Sequence, residues 1–259
     1  MITVADELAA RFEPVTLAEL NERAGLLTRV DRKYLLPTAD LPSVLAGLPA
    51  DVRVLEIDAR RQFGYRSAYF DTPGLDSYHG AARRRRRRFK LRVRSYLDSE
   101  LQFLEVKTRG ARGTTVKQRF PYAGSDDLLA PANTELAVTA LSKVGVPDVG
   151  RRFDLALTTE YQRITLLLPS TGSRVTVDLG LTWTVPGGAA LGLPGRVIVE
   201  TKSERATSPV DRLLWSLAHR PCPISKYATG LAALRPGLPA TRWCPVLRRH
   251  FADPETSRS

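Results

Sequence analysis

Between residues 83 and 96 the chain reads RRRRRRFKLRVRSY, and from Arg88 onward it alternates without a break. Arg88, Lys90, Arg92 and Arg94 fall on one parity; Phe89, Leu91, Val93 and Ser95 fall on the other. Successive side chains of a strand point to opposite faces, so the pattern predicts a strand with one basic face and one mostly apolar face. Four further segments repeat the arrangement. Glu105 and Lys107 alternate with Leu104 and Val106, and Lys117 shares a face with Arg119. Arg174, Thr176 and Asp178 alternate with Val175 and Val177, while Glu200 and Lys202 flank Thr201. Strands with one charged face each predict an α+β fold, an antiparallel β-barrel with a charged lumen and helices packed outside. A lumen that basic needs an anion.

The overall balance points the same way. Lys and Arg number 39 against 27 Asp and Glu, a formal net charge of +12. Such an excess calls for a polyanionic partner, an anionic membrane surface or an acidic substrate. The 259 residues suffice for one large barrel domain or two small ones. Cys222 and Cys244 both lie beside prolines and form no CxxC pair, which suits a reducing cytoplasm. The start, MITVADELAARFEP, lacks the basic and apolar regions of a signal peptide, and no apolar run approaches the roughly 20 residues of a membrane span. A soluble, cytoplasmic protein is expected.

In chain order, Thr16 and Glu19 make a capping-box pattern for a short helix to about residue 24. Strands are expected at 27–36, with Arg29, Asp31 and Lys33 on one face, and at 52–58, 65–71, 114–122, 155–168, 174–179 and 196–202. Helices are expected at 39–48, 75–87, 125–144 (despite Pro131), 209–219 and 225–234, the last with Ser225 as N-cap. Asp98 and Ser99 mark a hairpin turn between the strands around Arg94 and Glu105. The domain is placed at residues 16–235, after an extension at 1–15 and before a proline- and arginine-rich tail at 236–259. That tail's last residues are expected to be disordered.

Eight motifs in order carry a family resemblance: TRVDRKY (28–34), AYFDT (68–72), KLRVRSY (90–96), LEVKT (104–108), EYQR (160–163), RVTVD (174–178), VIVETK (197–202) and SKY (225–227). Together they resemble the VTC-type polyphosphate polymerase domain, a branch of the CYTH-like triphosphate tunnel metalloenzymes. The resemblance implies an eight-stranded antiparallel tunnel that binds a triphosphate or polyphosphate with a divalent metal. In that branch the terminal phosphoryl group of ATP passes to a growing polyphosphate chain. By the same resemblance Lys33, Arg92, Arg94, Lys107, Arg163, Arg174 and Lys226 match phosphate-contacting bases. Glu200 matches a metal-binding glutamate, and Tyr161 and Ser225 match secondary phosphate contacts. Arg29, Lys90, Lys117, Arg119 and Lys202 lie on the charged faces and are expected substrate contacts as well.

Two departures bear on the reaction. The paired glutamates of the hydrolase-like ExExK signature are here Arg29 and Asp31, which favours the polymerase branch. Counterparts of the phosphate-sensing SPX domain and of the membrane segments of the eukaryotic complex are not expected, so regulation and translocation do not carry over. The chemistry suits the residues. Phosphoryl transfer is mostly positioning and charge neutralisation, arginine forks bind phosphate oxygens at two points, and Mg2+ or Mn2+ needs only one or two carboxylates beside phosphate and water. Glu200 is the expected ligand, with Asp178 as a second candidate. The expected partners are ATP and polyphosphate or triphosphate, with no specific nucleic acid and a separate membrane protein as a candidate associate. A triphosphatase or cyclase of the same superfamily is the alternative enzyme. A non-catalytic binder of polyphosphate or RNA is the alternative of another class. No Walker-type loop and no histidine cluster appears.

Overall fold

The structure, a computed structural model, describes residues 10–24, 30–109, 115–125, 128–143, 145–146, 152–204 and 207–251. The first half contains β1 (Glu13–Val15), α1 (Leu17–Ala24), β2 (Val30–Pro37), α2 (Leu41–Ala46), β3 (Arg53–Leu55) and β4 (Gln62–Asp71). There follow α3 (Asp76–Ala82), β5 (Arg88–Tyr96), β6 (Gln102–Arg109) and β7 (Thr115–Pro121). The second half adds α4 (Pro131–Ser142), β8 (Asp154–Leu168), β9 (Ser173–Thr184), β10 (Ala190–Gly192), β11 (Arg196–Ser203), α5 (Pro209–Ser216), α6 (Lys226–Leu234) and α7 (Cys244–His250). Arg29, Val144 and residues 110–113 of the basic glycine-rich loop lie outside the described residues, as do the last eight residues of the tail.

The sheet is mostly antiparallel, but it is not the closed eight-stranded barrel expected from the sequence. It has eleven strands, hydrogen-bonded in the order β2-β11-β9-β8-β4-β5-β6-β7 with β1, β3 and β10 off that path. Among the described residues β2 and β7 do not pair, so the path stays open. Each end has a physical reason. The Lys33 carbonyl on β2 accepts a hydrogen bond from Cys222 N–H at 2.8 Å, so a loop already occupies that edge. β7 carries Lys117, Arg119 and a terminal Pro121, the usual means of blunting an edge strand.

Two compact units make up the chain. One comprises Met1–Gly64, Tyr161–Leu181 and Leu193–Ile224. Its core joins Tyr34 and Leu36 of β2, Ile164 and Leu166 of β8, Val175 and Val177 of β9, and Val197 and Val199 of β11 to Val210 and Leu214 of α5. The other unit comprises Tyr65–Glu160, Thr182–Gly192 and Ser225–Ser259. There Phe70 of β4, Leu91 and Val93 of β5, and Leu104 and Val106 of β6 pack with Ala137 and Leu141 of α4. Burying a side chain of this size contributes about 1.5–3 kcal/mol. In both units the apolar parity of each strand is therefore committed to a core, which fixes the charged parity on the opposite face.

Local signals explain the helix ends. Thr16 Oγ1 accepts from Glu19 N–H at 3.2 Å, while the Glu19 carboxylate pairs with Arg23 and Arg53. Pro131 is the first residue of α4 and initiates the helix, because its fixed φ suits that position and its missing N–H needs no partner there. Ser225 caps α6 through Ala228 N–H, as its position before the apolar run suggested. The tail also holds α7, which its proline and arginine content hid.

Candidate functional site

In the first unit β2, β11 and β9 run side by side with Lys33 opposite Glu200, Asp31 opposite Lys202, Thr176 opposite Glu200 and Arg174 opposite Lys202. Their charges interlock. Glu200 Oε1 lies 3.0 Å from Lys202 Nζ and 3.8 Å from Lys33 Nζ. Burial would raise the Glu200 carboxyl, but Lys202, Lys33 and Arg163 together hold it well below the usual carboxylate range. Lys202 is pushed down to about 8, first by burial and then by Arg163, with Glu200 and Asp31 opposing. Arg163 of β8 forks onto Asp178 at 2.6 and 2.9 Å, with its guanidinium 5.2 Å from the Tyr161 ring centroid. Arg174 reaches the Leu20 carbonyl and the Asn21 side chain of α1, both at 3.4 Å.

The second unit has a different balance. Lys90 lies opposite Lys107, Arg92 opposite Glu105, and Glu105 in turn opposite Arg119, so β5, β6 and β7 present one shared face. Glu105 is buried at 2% exposure. Both Arg92 Nε, at 2.8 Å, and Arg92 Nη2 donate to Glu105 Oε2, while Lys117 Nζ stands 2.6 Å from Oε1. Burial works against the Glu105 charge, yet Arg92, Arg94 and Lys117 hold its carboxyl far below the usual range. Arg94 is buried with its guanidinium 5.4 Å from the Tyr65 ring centroid. Arg119 sits 3.5 Å from the centroid of Phe103 and donates to the Tyr96 hydroxyl at 3.0 Å. Lys107 is exposed. Lys90 Nζ donates to Ser225 Oγ at 3.2 Å, which places the cap of α6 beside β5. Neighbouring Lys226 is anchored through its carbonyl, which accepts from Trp183 Nε1 at 2.6 Å. At Gly230 a Cβ would lie 2.1 Å from the Trp183 ring, so only glycine lets α6 approach this closely.

Two supporting networks had no role in the sequence reading. In the second unit Arg92 Nη1 donates to the Tyr69 hydroxyl, Tyr69 stacks on Tyr227 with centroids 5.2 Å apart, and the Tyr227 hydroxyl donates to Asp71. Asp71 also accepts from the N–H groups of Thr72, Ser77 and Tyr78. A buried chain of contacts thus fixes the Arg92 fork. In the first unit Asp211 accepts from Tyr34 and Thr201 hydroxyls at 2.7 and 2.6 Å and pairs with Arg32 at 3.3 Å, which ties α5 to β2 and β11. The signal was present, since Tyr69, Asp71, Tyr227 and Tyr34 all stand inside the quoted motifs. Only their partners were not readable.

The donor set bears on a metal. Among the described residues no three His, Cys, Asp or Glu side chains gather into a ligand cluster. Glu200 nevertheless fits a hard divalent ion, because it is ionised and such ions take their other ligands from phosphate and water. Asp178 fits less directly, since Arg163 holds both its oxygens.

The charged faces of a mostly antiparallel sheet thus set a few ionised carboxylates among many bases. Residues 28–235 match the VTC domain, and the chain belongs to that family. No curated protein sequence matches it. Among solved structures, a Bacillus halodurans protein described as a candidate adenylate cyclase is 13% identical, with a TM-score of 0.49, covering 76% of this chain and 94% of its own. A Hippeastrum adenylyl cyclase candidate, described as having a dominant triphosphatase activity, is 17% identical with a TM-score of 0.46, covering 83% of this chain and 100% of its own. A conserved hypothetical protein from Pyrococcus furiosus is 16% identical, with a TM-score of 0.38 over 74% of this chain and 88% of its own.

Proposed function

We propose that the chain is a metal-dependent polyphosphate polymerase that transfers the terminal phosphoryl group of ATP to a growing polyphosphate chain. The observation that carries this reading is the face of β5–β7, where Lys90, Arg92, Arg94, Lys107, Lys117 and Arg119 surround the single carboxylate Glu105. VTC family membership supports it. Such a face is matched to a ligand with many negative charges and no need of an exposed base pocket.

In this reading Arg92 and Arg94 fork onto phosphate oxygens, and Lys90, Lys107, Lys117 and Lys226 act as point charges. Ser225 and Tyr161 add hydroxyl contacts. Lys33, Arg163, Arg174 and Lys202 neutralise phosphate charge in the first unit, with Arg29 as a further contact. Glu200, with Asp178 as a second carboxylate, would hold Mg2+ or Mn2+, which supplies charge neutralisation on the transferring phosphoryl oxygens. The acceptor needs no strong base, since terminal polyphosphate oxygens are already largely ionised at neutral pH. The protein's task is then to align donor and acceptor and to spread charge. The test is product analysis after incubation with ATP and Mn2+. ADP with a phosphate polymer is expected. One free phosphate per ADP with no polymer would replace this reading with the triphosphatase.

A further inference from the structure

Four arginines without an assigned role converge at the C-terminal end of α3. Arg84 follows the helix in the left-handed region, with φ 52°, and its N–H donates to the Ala81 carbonyl at 3.3 Å. The Arg242 guanidinium donates to the same carbonyl at 3.2 Å. Arg88 opens β5 directly opposite Arg109, the last residue of β6, and its guanidinium donates to the Arg85 carbonyl at 2.7 Å. Arg84 and Arg109 are exposed, while Arg88 and Arg242 are half-buried. Among the described residues no carboxylate pairs with any of the four.

The carbonyls at the helix end offset part of this charge. They do not offset all of it. Burial, then the charges of Arg109 and Arg242, lower Arg88; burial, then Arg84 and Arg109, lower Arg242. Like charges this close are unfavourable until an anion joins them. Position supplies the rest of the argument. Arg88 has the parity of Lys90, Arg92 and Arg94, so the cluster continues the basic face of β5. It lies roughly 13 Å from Arg92, at four residues of ~3.3 Å each.

We propose that Arg84, Arg88, Arg109 and Arg242 form a second phosphate site, which grips the distal part of a long polyphosphate chain whose terminal phosphates lie at Arg92 and Arg94. This rests on the polyphosphate reading above and adds chain-length selectivity to it. Guanidinium forks suit successive phosphate oxygens. A nucleic acid would also want exposed rings for its bases, and Trp243, the aromatic residue beside Arg242, is buried.

The test is the double variant Arg84→Asn, Arg109→Gln, chosen because asparagine tolerates a left-handed backbone and because neither side chain has an ion-pair partner among the described residues. Affinities for tripolyphosphate and for long-chain polyphosphate are measured side by side by calorimetry. Long-chain affinity is expected to fall about tenfold or more, as for two lost charged contacts, with tripolyphosphate affinity unchanged. Unchanged tripolyphosphate binding also certifies the fold. Equal loss for both ligands, or no loss for the long chain, overturns the second site while leaving the polymerase reading in place. Wild-type protein gives a reading free of substitutions, since its affinity should rise with chain length beyond tripolyphosphate; a flat dependence overturns the proposal. Wild-type protein that binds neither ligand sinks the polyphosphate reading itself. Single-stranded RNA bound as tightly, and weakened equally by the double variant, would show a general polyanion patch instead.

Discussion

The two units carry charged faces of different kinds. In the first, Lys33, Arg163, Arg174 and Lys202 stand among Asp31, Asp178 and Glu200, so acids and bases nearly balance. In the second, β5–β7 place Lys90, Arg92, Arg94, Lys107, Lys117 and Arg119 around Glu105 alone. A balanced face satisfies itself and has ionised carboxylates to offer a metal. The unbalanced one carries those six bases against one acid along its three strands. In the proposed function Glu200 takes part in the chemistry and Arg92 and its neighbours grip the ligand, and that division can be broken by experiment.

The largest effect is expected at Glu200. If it holds the metal, Glu200→Gln removes several kcal/mol of charge stabilisation, and turnover of ATP should fall at least about a hundredfold. Chelation of divalent metal by EDTA should do the same to wild-type protein without removing its tripolyphosphate binding. Normal metal-dependent turnover in Glu200→Gln would take Glu200 out of the mechanism.

Stability should divide the faces next. Asp178 is buried and forked by Arg163, so Arg163→Ala breaks a buried ion pair and should cost about 3–5 kcal/mol in urea unfolding. Arg119, exposed and stacked on Phe103, should cost only about 0.5–1 kcal/mol when truncated. Comparable losses would erase the contrast. Ligand stabilisation is smaller. Tripolyphosphate at about 100 times its dissociation constant adds roughly 2.7 kcal/mol, a rise of about 5–10 °C in melting temperature. Sulfate at equal ionic strength should give far less, and equal shifts would count against a specific site.

Lys202 gives the smallest effect and the sharpest pH signature. Its folded pKa of about 8 lies below the ordinary 10.5. The folded state therefore binds fewer protons than the unfolded chain between those values, and this group's contribution to stability grows as pH rises through that window. A bound phosphate favours the charged ammonium. Tripolyphosphate binding near pH 8 should thus take up a fraction of a proton, visible as a dependence of calorimetric heat on the buffer's ionisation enthalpy, and affinity should decline above it. No proton uptake would show that Lys202 does not meet the ligand.

Much of this was legible because period-2 alternation reports directly on strand faces. Lys90, Arg92 and Arg94 do share one face, as do Glu105 and Lys107, and the Ser225 cap stands where an N-cap residue precedes an apolar run. Closure of the barrel was not legible. Alternation fixes which way a side chain points, whereas closure depends on what meets the two edges, here Cys222 on β2 and the charges and proline of β7. Pairings across long sequence separations were equally hidden. Nothing local announces that Tyr227 donates to Asp71 across 156 residues, or that Tyr34 meets Asp211. The arginine run at 83–88 reads as a solvated stretch until the fold brings Arg109 and Arg242 beside it.

The division between grip and chemistry is tested most directly by titrating tripolyphosphate into Glu200→Gln and Arg92→Ala in parallel, with wild-type protein as reference. Glu200→Gln should bind as tightly as wild type or more tightly, because a negative charge leaves the face. Arg92→Ala should bind about ten- to a hundredfold more weakly, the equivalent of roughly 1.5–3 kcal/mol for lost charged hydrogen bonds. Weakened binding in Glu200→Gln together with unchanged binding in Arg92→Ala would contradict the account.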